Sequence, residues 1–160
     1  MRKAVIAALC IAAILLLTFF LLTQSGPDRD RVIDVSCDDA EMAAAIAKAR
    51  QTLPQLLEAI VIGVDSYSVQ VPVTDSNGTE HFWLSKVTFS DGVFSGRIDN
   101  DPDTVKTVIL GQQYSIKKDA ISDWLYVRGG KVSGNYTLRV LLPRMSANEA
   151  AQAKRDMGWE

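Results

Sequence analysis

Histidine occurs once in this 160-residue chain, at position 81, and cysteine twice, at positions 10 and 37. One imidazole and two thiols at those spacings cannot supply the ligands of a structural or catalytic zinc site, so no metal and no cofactor is expected. There is no G-x-S-x-G turn, no phosphate-cradling glycine loop and no H-E-x-x-H pair. Their absence removes the α/β-hydrolase nucleophile, the P-loop and the zincin helix as readings. A basic stripe is also missing: 17 Lys and Arg stand against 19 Asp and Glu, a net charge of −2. Nucleic acid and anionic lipid surfaces need clustered cations, and both are excluded as partners. Nor is the chain depleted in apolar residues. It is 48% hydrophobic and 22% charged, the balance of a folded domain rather than a disordered one.

What is present begins with an apolar run. Ala4 to Leu22 carries no charge, and Thr18 is its polar exception. As a helix it would measure about 28 Å, against a hydrocarbon core of roughly 30 Å. Arg2 and Lys3 precede it and should remain cytoplasmic. The expectation is a single-pass inner-membrane anchor with the remaining chain in the periplasm or cell exterior. The alternative is a signal segment cleaved near Ser25, although secretory apolar regions are usually shorter, about 7 to 15 residues. Either way the domain is exported. A spanning segment also separates Cys10 from Cys37, so an internal disulfide is excluded, and Cys37 reads as a small, partly buried thiol. The division expected is residues 1–25 as anchor or signal segment, 26–37 as linker, and 38–160 as one domain.

Within that domain the periodicity changes once. Ser36 and Asp39 resemble a capping box, and Met42, Ile46 and Ala49 predict a helix over about 38–51. Pro54 sits where a second helical stretch begins, and Leu53, Leu56, Leu57 and Ile60 form an apolar stripe suited to packing on a sheet. From Val64 the period is two. Tyr67, Val69, Val71 and Val73 alternate with polar residues, and Pro72 suggests an edge or a bulge. Asn77-Gly78 and Asp91-Gly92 mark hairpin turns between strands carrying Phe82, Leu84 and Val87, then Phe94 and Ile98. Gln113 to Lys117 reads as a strand, and Val105 to Leu110 is ambiguous. Apolar residues recur over 120–127 and again over 136–142, where Pro143 ends or kinks the stretch. Ser146 with Glu149 is a capping box for a short C-terminal helix. The fold class is α+β: an N-terminal membrane helix, then helices packed on a small antiparallel sheet, with a C-terminal helix.

Several groups of residues resemble, together, the YegJ-like family of bacterial domains. They are Glu80-His81-Phe82-Trp83-Leu84, Asp91-Gly92-Val93-Phe94-Ser95-Gly96, Asn100-Asp101-Pro102, Ile121-Ser122-Asp123-Trp124 and Gly134-Asn135-Tyr136-Thr137-Leu138-Arg139. The similarity covers roughly residues 38–150. It implies a small α+β domain in an envelope or exported protein, and no activity or catalytic residue. Pro143 departs from the pattern, in a stretch that is usually helical in the family.

Six residues stand as candidates for ligand or partner binding: Glu80, Trp83, Asn100, Asp123, Trp124 and Arg139. Each also has a structural reading. Glu80 would anchor a turn, Asn100 would set one, and Asp123 would cap a segment or pair with Arg139. Trp83 and Trp124 would stack a ligand ring or fill the core. His81 is a general base, a pH sensor or an ordinary strand residue. Glu80 and His81 alternate onto opposite faces and so cannot act on each other. The first functional reading is a tethered, non-enzymatic binding or interaction module for an envelope protein partner. It requires the six residues to converge. The second is a hydrolase-like enzyme using Glu80 and Asp123 as a carboxylate cleft. The third is an immunity-type protein that neutralises a toxin.

Overall fold

The computed structural model describes residues 40–159. The anchor or signal segment, the linker, both cysteines and the Ser36–Asp39 capping pair lie outside the described residues.

The first helix, α1 (Ala40–Ile62), is continuous through Pro54, where the sequence suggests two helices. Its buried stripe explains the continuity: Ala45, Ala49, Leu53, Leu56 and Ala59 are all buried along one face. Pro54 lies on the exposed side. Interior proline costs a helix about 3 kcal/mol, and an apolar face packed over about four turns outweighs that. No helix among the described residues is long and apolar enough to cross a membrane.

Six strands follow: β1 (Ser66–Asp75), β2 (Gly78–Ser90), β3 (Val93–Ile98), β4 (Gln113–Lys117), β5 (Asp123–Arg128) and β6 (Lys131–Gly134). They form one sheet in the order β4-β3-β2-β1-β5-β6, and every pairing is antiparallel. The Asn77-Gly78 and Asp91-Gly92 turns close the two hairpins that the sequence marks. Pro72 is tolerated because β5 pairs with β1 only as far as Gln70, opposite Asp123. Beyond that point β1 is an edge on this side, and no N–H is needed there. A bulge separates Ser85 from Thr88 in β2, with Lys86 at φ 49°. Gly96 on β3 lies against it. A Cβ there would come within 2.8 Å of the Ser85 carbonyl oxygen.

Two short helices complete the domain: α2 (Tyr136–Leu141) and α3 (Ala147–Asp156). Pro143 ends α2 and sits in a 3-10 turn over Leu142–Arg144. The Ser146–Glu149 capping box forms as expected. The stretch 99–112 between β3 and β4 is a loop, although Val105 and Val108 within it are buried in the core.

The register sorts the sheet into two unlike faces. Val69 lies opposite Leu84 and Trp124, Val71 opposite Phe82, and Phe94 opposite Ile116. This face carries the buried apolar side chains and receives α1, for the Trp124 indole N–H donates to the Ala49 carbonyl at 2.8 Å. Gln70, Trp83, Ser95, Leu125 and Val127 lie on the other face and are half-buried, while Arg97 and Ser115 are exposed. None of the buried apolar core residues of the sheet belongs to it.

Gly134 closes β6 at φ 85° against the Trp124 ring. A Cβ there would stand 2.6 Å from Trp124 Cε3 and 2.2 Å from its backbone oxygen. Gly134→Ala must displace β6 or the indole, at a cost on the order of 3 kcal/mol. Urea denaturation of wild type and variant checks this; an unchanged midpoint would refute the close packing.

Candidate functional site

The polar residues that matter gather in two places. The first is where β1, β2 and the start of β5 meet. Ser122 is fully buried, and its N–H donates to the Gln70 carbonyl at 2.8 Å, which sets the approach of the chain to β1. Its Oγ lies 2.6 Å from His81 Nδ1. Arg50, from α1, donates Nε–H to the Ile121 carbonyl at 2.8 Å. His81 keeps much of its surface exposed, yet partial desolvation of its ring lowers its pKa below the ordinary 6.5, and the Arg50 guanidinium lowers it further. The imidazole is therefore neutral at pH 7, and Ser122 fixes the orientation of its ring.

Asp123 is fully buried beside this pair. Its Oδ2 accepts both the N–H and the hydroxyl of Thr137, each at 2.7 Å, and its Oδ1 accepts the N–H of Trp124 at 2.8 Å. Burial pushes the carboxyl above its ordinary value, and the bonds from Thr137 and Trp124 oppose that shift. Asp123 thus caps the first turn of α2, one of its two structural readings. The other, a pair with Arg139, does not form. The Arg139 guanidinium donates to the Gly134 carbonyl and lies 3.9 Å over the Trp159 ring. A planar cation finds a carbonyl and an aromatic face there, and Asp123 has its acceptor oxygens already engaged.

The second place is the end of the β1–β2 hairpin, where loop 99–112 folds back. The Glu80 carboxylate accepts N–H groups from Asp103, Thr104 and Val105 at 3.0–3.2 Å. Asp75 accepts the N–H of Lys106 at 2.7 Å and that of Asn77 at 2.8 Å; these bonds, Lys106 first, hold its carboxyl below the ordinary value. Asn100 Oδ1 accepts the Trp83 N–H at 3.0 Å. Two carboxylates thereby satisfy donors of a loop that has no ladder of its own, and Asn100 ties that loop to β2 by accepting a strand donor.

The six candidates therefore do not converge. Glu80 and Asn100 hold the loop. Asp123 caps α2, and Trp124 is 1% exposed in the core. Arg139 lies under Trp159. Of the six, Trp83 and Asp123 lie in one row with Gln70 on the face opposite the apolar core, where Trp83 is half-buried and Asp123 is closed off by Thr137. Sequence reasoning missed Ser122, Arg50 and Thr137, which act across 41, 71 and 14 residues of chain and leave no local pattern. A serine oxygen at 2.6 Å from an imidazole nitrogen has the spacing of a nucleophile and base. Ser122 has no exposed surface, however, so no substrate carbonyl can reach it. Among the described residues no cluster of His, Cys, Asp and Glu is arranged to hold a metal ion.

Comparison with known proteins follows the same residues. The family model described as "Uncharacterized protein conserved in bacteria (DUF2314)" matches residues 39–160. The "Uncharacterized protein YegJ" of Escherichia coli strain K12 is 39% identical over 145 residues, which is 90% of this chain and 95% of that protein. The "Putative ankyrin repeat protein NMB1133/NMB1171" of Neisseria meningitidis serogroup B is 27% identical over 104 residues, 62% of this chain and 40% of that protein. No solved structure matches.

Because His81 is unique in the chain, its titration can be read without assignment. Proton NMR of the imidazole should give a midpoint below 6.5, and Arg50→Gln should raise it part of the way back. Between the lowered folded value and 6.5 the unfolded chain binds more protons, so the His81 contribution to stability grows as pH rises through that window. A midpoint at or above 6.5 would contradict the packing around Ser122.

Proposed function

The chain belongs to this bacterial family, and from that premise we propose that it is a non-catalytic binding module, tethered to the inner membrane through residues 4–22, which docks an envelope protein on the uncovered face of its sheet. The observation that carries the reading is the asymmetry of the sheet. The apolar core and α1 occupy one face. The other face is broad, half-exposed and mixed in character, with Trp83 and Leu125 set among Gln70, Ser95 and Arg97. A half-exposed tryptophan and an exposed arginine among neutral polar groups match the composition of protein interfaces.

The tether rests on the sequence: a 19-residue uncharged run behind two cations, followed by a Gly-Pro pair. The hydrolase reading has lost its support. Glu80 is engaged by backbone donors of loop 99–112, and Asp123 is buried under α2, so neither is a carboxylate free in a cleft.

The test uses the full-length chain, tagged at its C-terminus and solubilised from envelopes. Affinity capture is compared for wild type and Trp83→Ala, with circular dichroism to confirm folding. Removing a central aromatic anchor should cost about 2 kcal/mol of binding, roughly thirtyfold. One envelope protein retained by wild type and depleted by that factor in the variant is the expected result. Equal retention by both would overturn the assignment to this face. Protease treatment of intact spheroplasts should remove the tagged domain; a protected tag would overturn export.

A further inference from the structure

The two edges of the sheet are finished differently. At β6 the C-terminal residues close the edge. The Val132 N–H donates to the Met157 carbonyl at 2.9 Å, and the Trp159 indole N–H donates to the Val132 carbonyl at 2.7 Å. At β4 no described strand or tail lies outside. We propose that β4 is a self-pairing edge, and that two copies of this chain join β4 to β4 in an antiparallel continuation of the sheet.

The register fixes which backbone groups are available. The Ile98 N–H donates to the Gln112 carbonyl, and the Lys118 N–H donates to the Gly92 carbonyl, each at 2.9 Å. These two bonds bracket the β3–β4 pairing that runs from Arg97↔Gln113 to Val93↔Lys117. Bonded and non-bonded pairs alternate along an antiparallel ladder. Tyr114 and Ile116 therefore turn their N–H and C=O groups toward β3. Gln113, Ser115 and Lys117 turn theirs outward.

Those three outward residues are self-complementary about Ser115. A two-fold axis through Ser115 sets Ser115 opposite its copy, and Gln113 opposite Lys117 of the partner copy. All three are then bonded pairs. Tyr114 meets the second copy's Ile116 on the covered face, so the apolar strip runs on across the junction. The lysine faces a neutral amide; a register shifted toward the C-terminus would oppose lysine to lysine, which is unfavourable. Edges that stay single are often very short, or carry a bulge, a proline or charges, lysine especially. β4 has a regular register, no proline, and its lysine at the end. Ile109 and Leu110, 68% and 52% exposed, stand at the turn that leads into this edge.

The inference is independent of which partner the open face binds. It is tested on the full-length chain carrying Cys10→Ser and Cys37→Ser, in detergent, with single cysteines added. Bonded pairs place Cα atoms about 5.5 Å apart, within reach of a disulfide. Ser115→Cys should oxidise to a covalent dimer. Gln113→Cys lies roughly 14 Å from its own copy and should cross-link at least about fivefold less, as should Ser68→Cys in the sheet interior. Mixing Gln113→Cys with Lys117→Cys should restore the dimer. Ser115→Pro removes an outward N–H while sparing the β3 ladder. Sedimentation should show a dimer for wild type and a monomer for this variant, with unchanged circular dichroism. Ser115→Cys linking no better than Ser68→Cys would overturn the proposal. So would a dimer that survives Ser115→Pro, since it would be held elsewhere.

Discussion

The bond from the Trp124 indole to the Ala49 carbonyl ties the two layers of the domain together. It is buried, with no water to replace it if either partner is lost, so its geometry constrains everything near it. The indole packs parallel to Tyr126 at 6.0 Å and edge-on to Tyr136 at 5.7 Å, while Gly134 leaves it the space that any side chain would take. The adjacent Asp123 caps α2 through Thr137. One dipeptide therefore fixes α1 over the sheet, β6 beside β5, and the start of α2. The rest of the covered face is apolar packing laid around that point.

This arrangement changes what the acidic residues mean. A buried carboxylate with a raised pKa beside a Ser–His contact invites a catalytic reading. Here each group has a structural partner, and Ser122 and Asp123 have no surface from which to act. Glu80 likewise organises a loop whose Val105 and Val108 complete the core. The chemistry-bearing residues described above each serve the fold.

Much of the fold was legible because its signals are local. Period two over 66–73, the Asn77-Gly78 and Asp91-Gly92 turns, the strand Gln113–Lys117 and the Ser146–Glu149 box each depend on a few consecutive residues. Pro54 misled because the proline is local and the compensating stripe runs along the whole of α1. Stretch 136–142 showed its apolar residues, but its helix is set by a carboxylate on another strand. The sequence leaves Asp123 open between capping a segment, pairing with Arg139 and binding a partner. The choice of Thr137 over Arg139 depended on the αL turn at Asn135, which no pattern announces. The expected convergence of six residues failed for a related reason. Sequence places Trp83 and Trp124 in similar strands, and only the register puts them on opposite faces.

Binding on the uncovered face is the role proposed for this domain. It is tested most directly in living cells, by photo-crosslinking from a benzophenone side chain at Gln70, Trp83 or Ser95, compared with Lys48 or Gln55 on the outer surface of α1. Binding on that face should give one and the same adduct from the three sheet positions and none from the helix. Adducts from the helix positions alone, or equally from both sides, would contradict it.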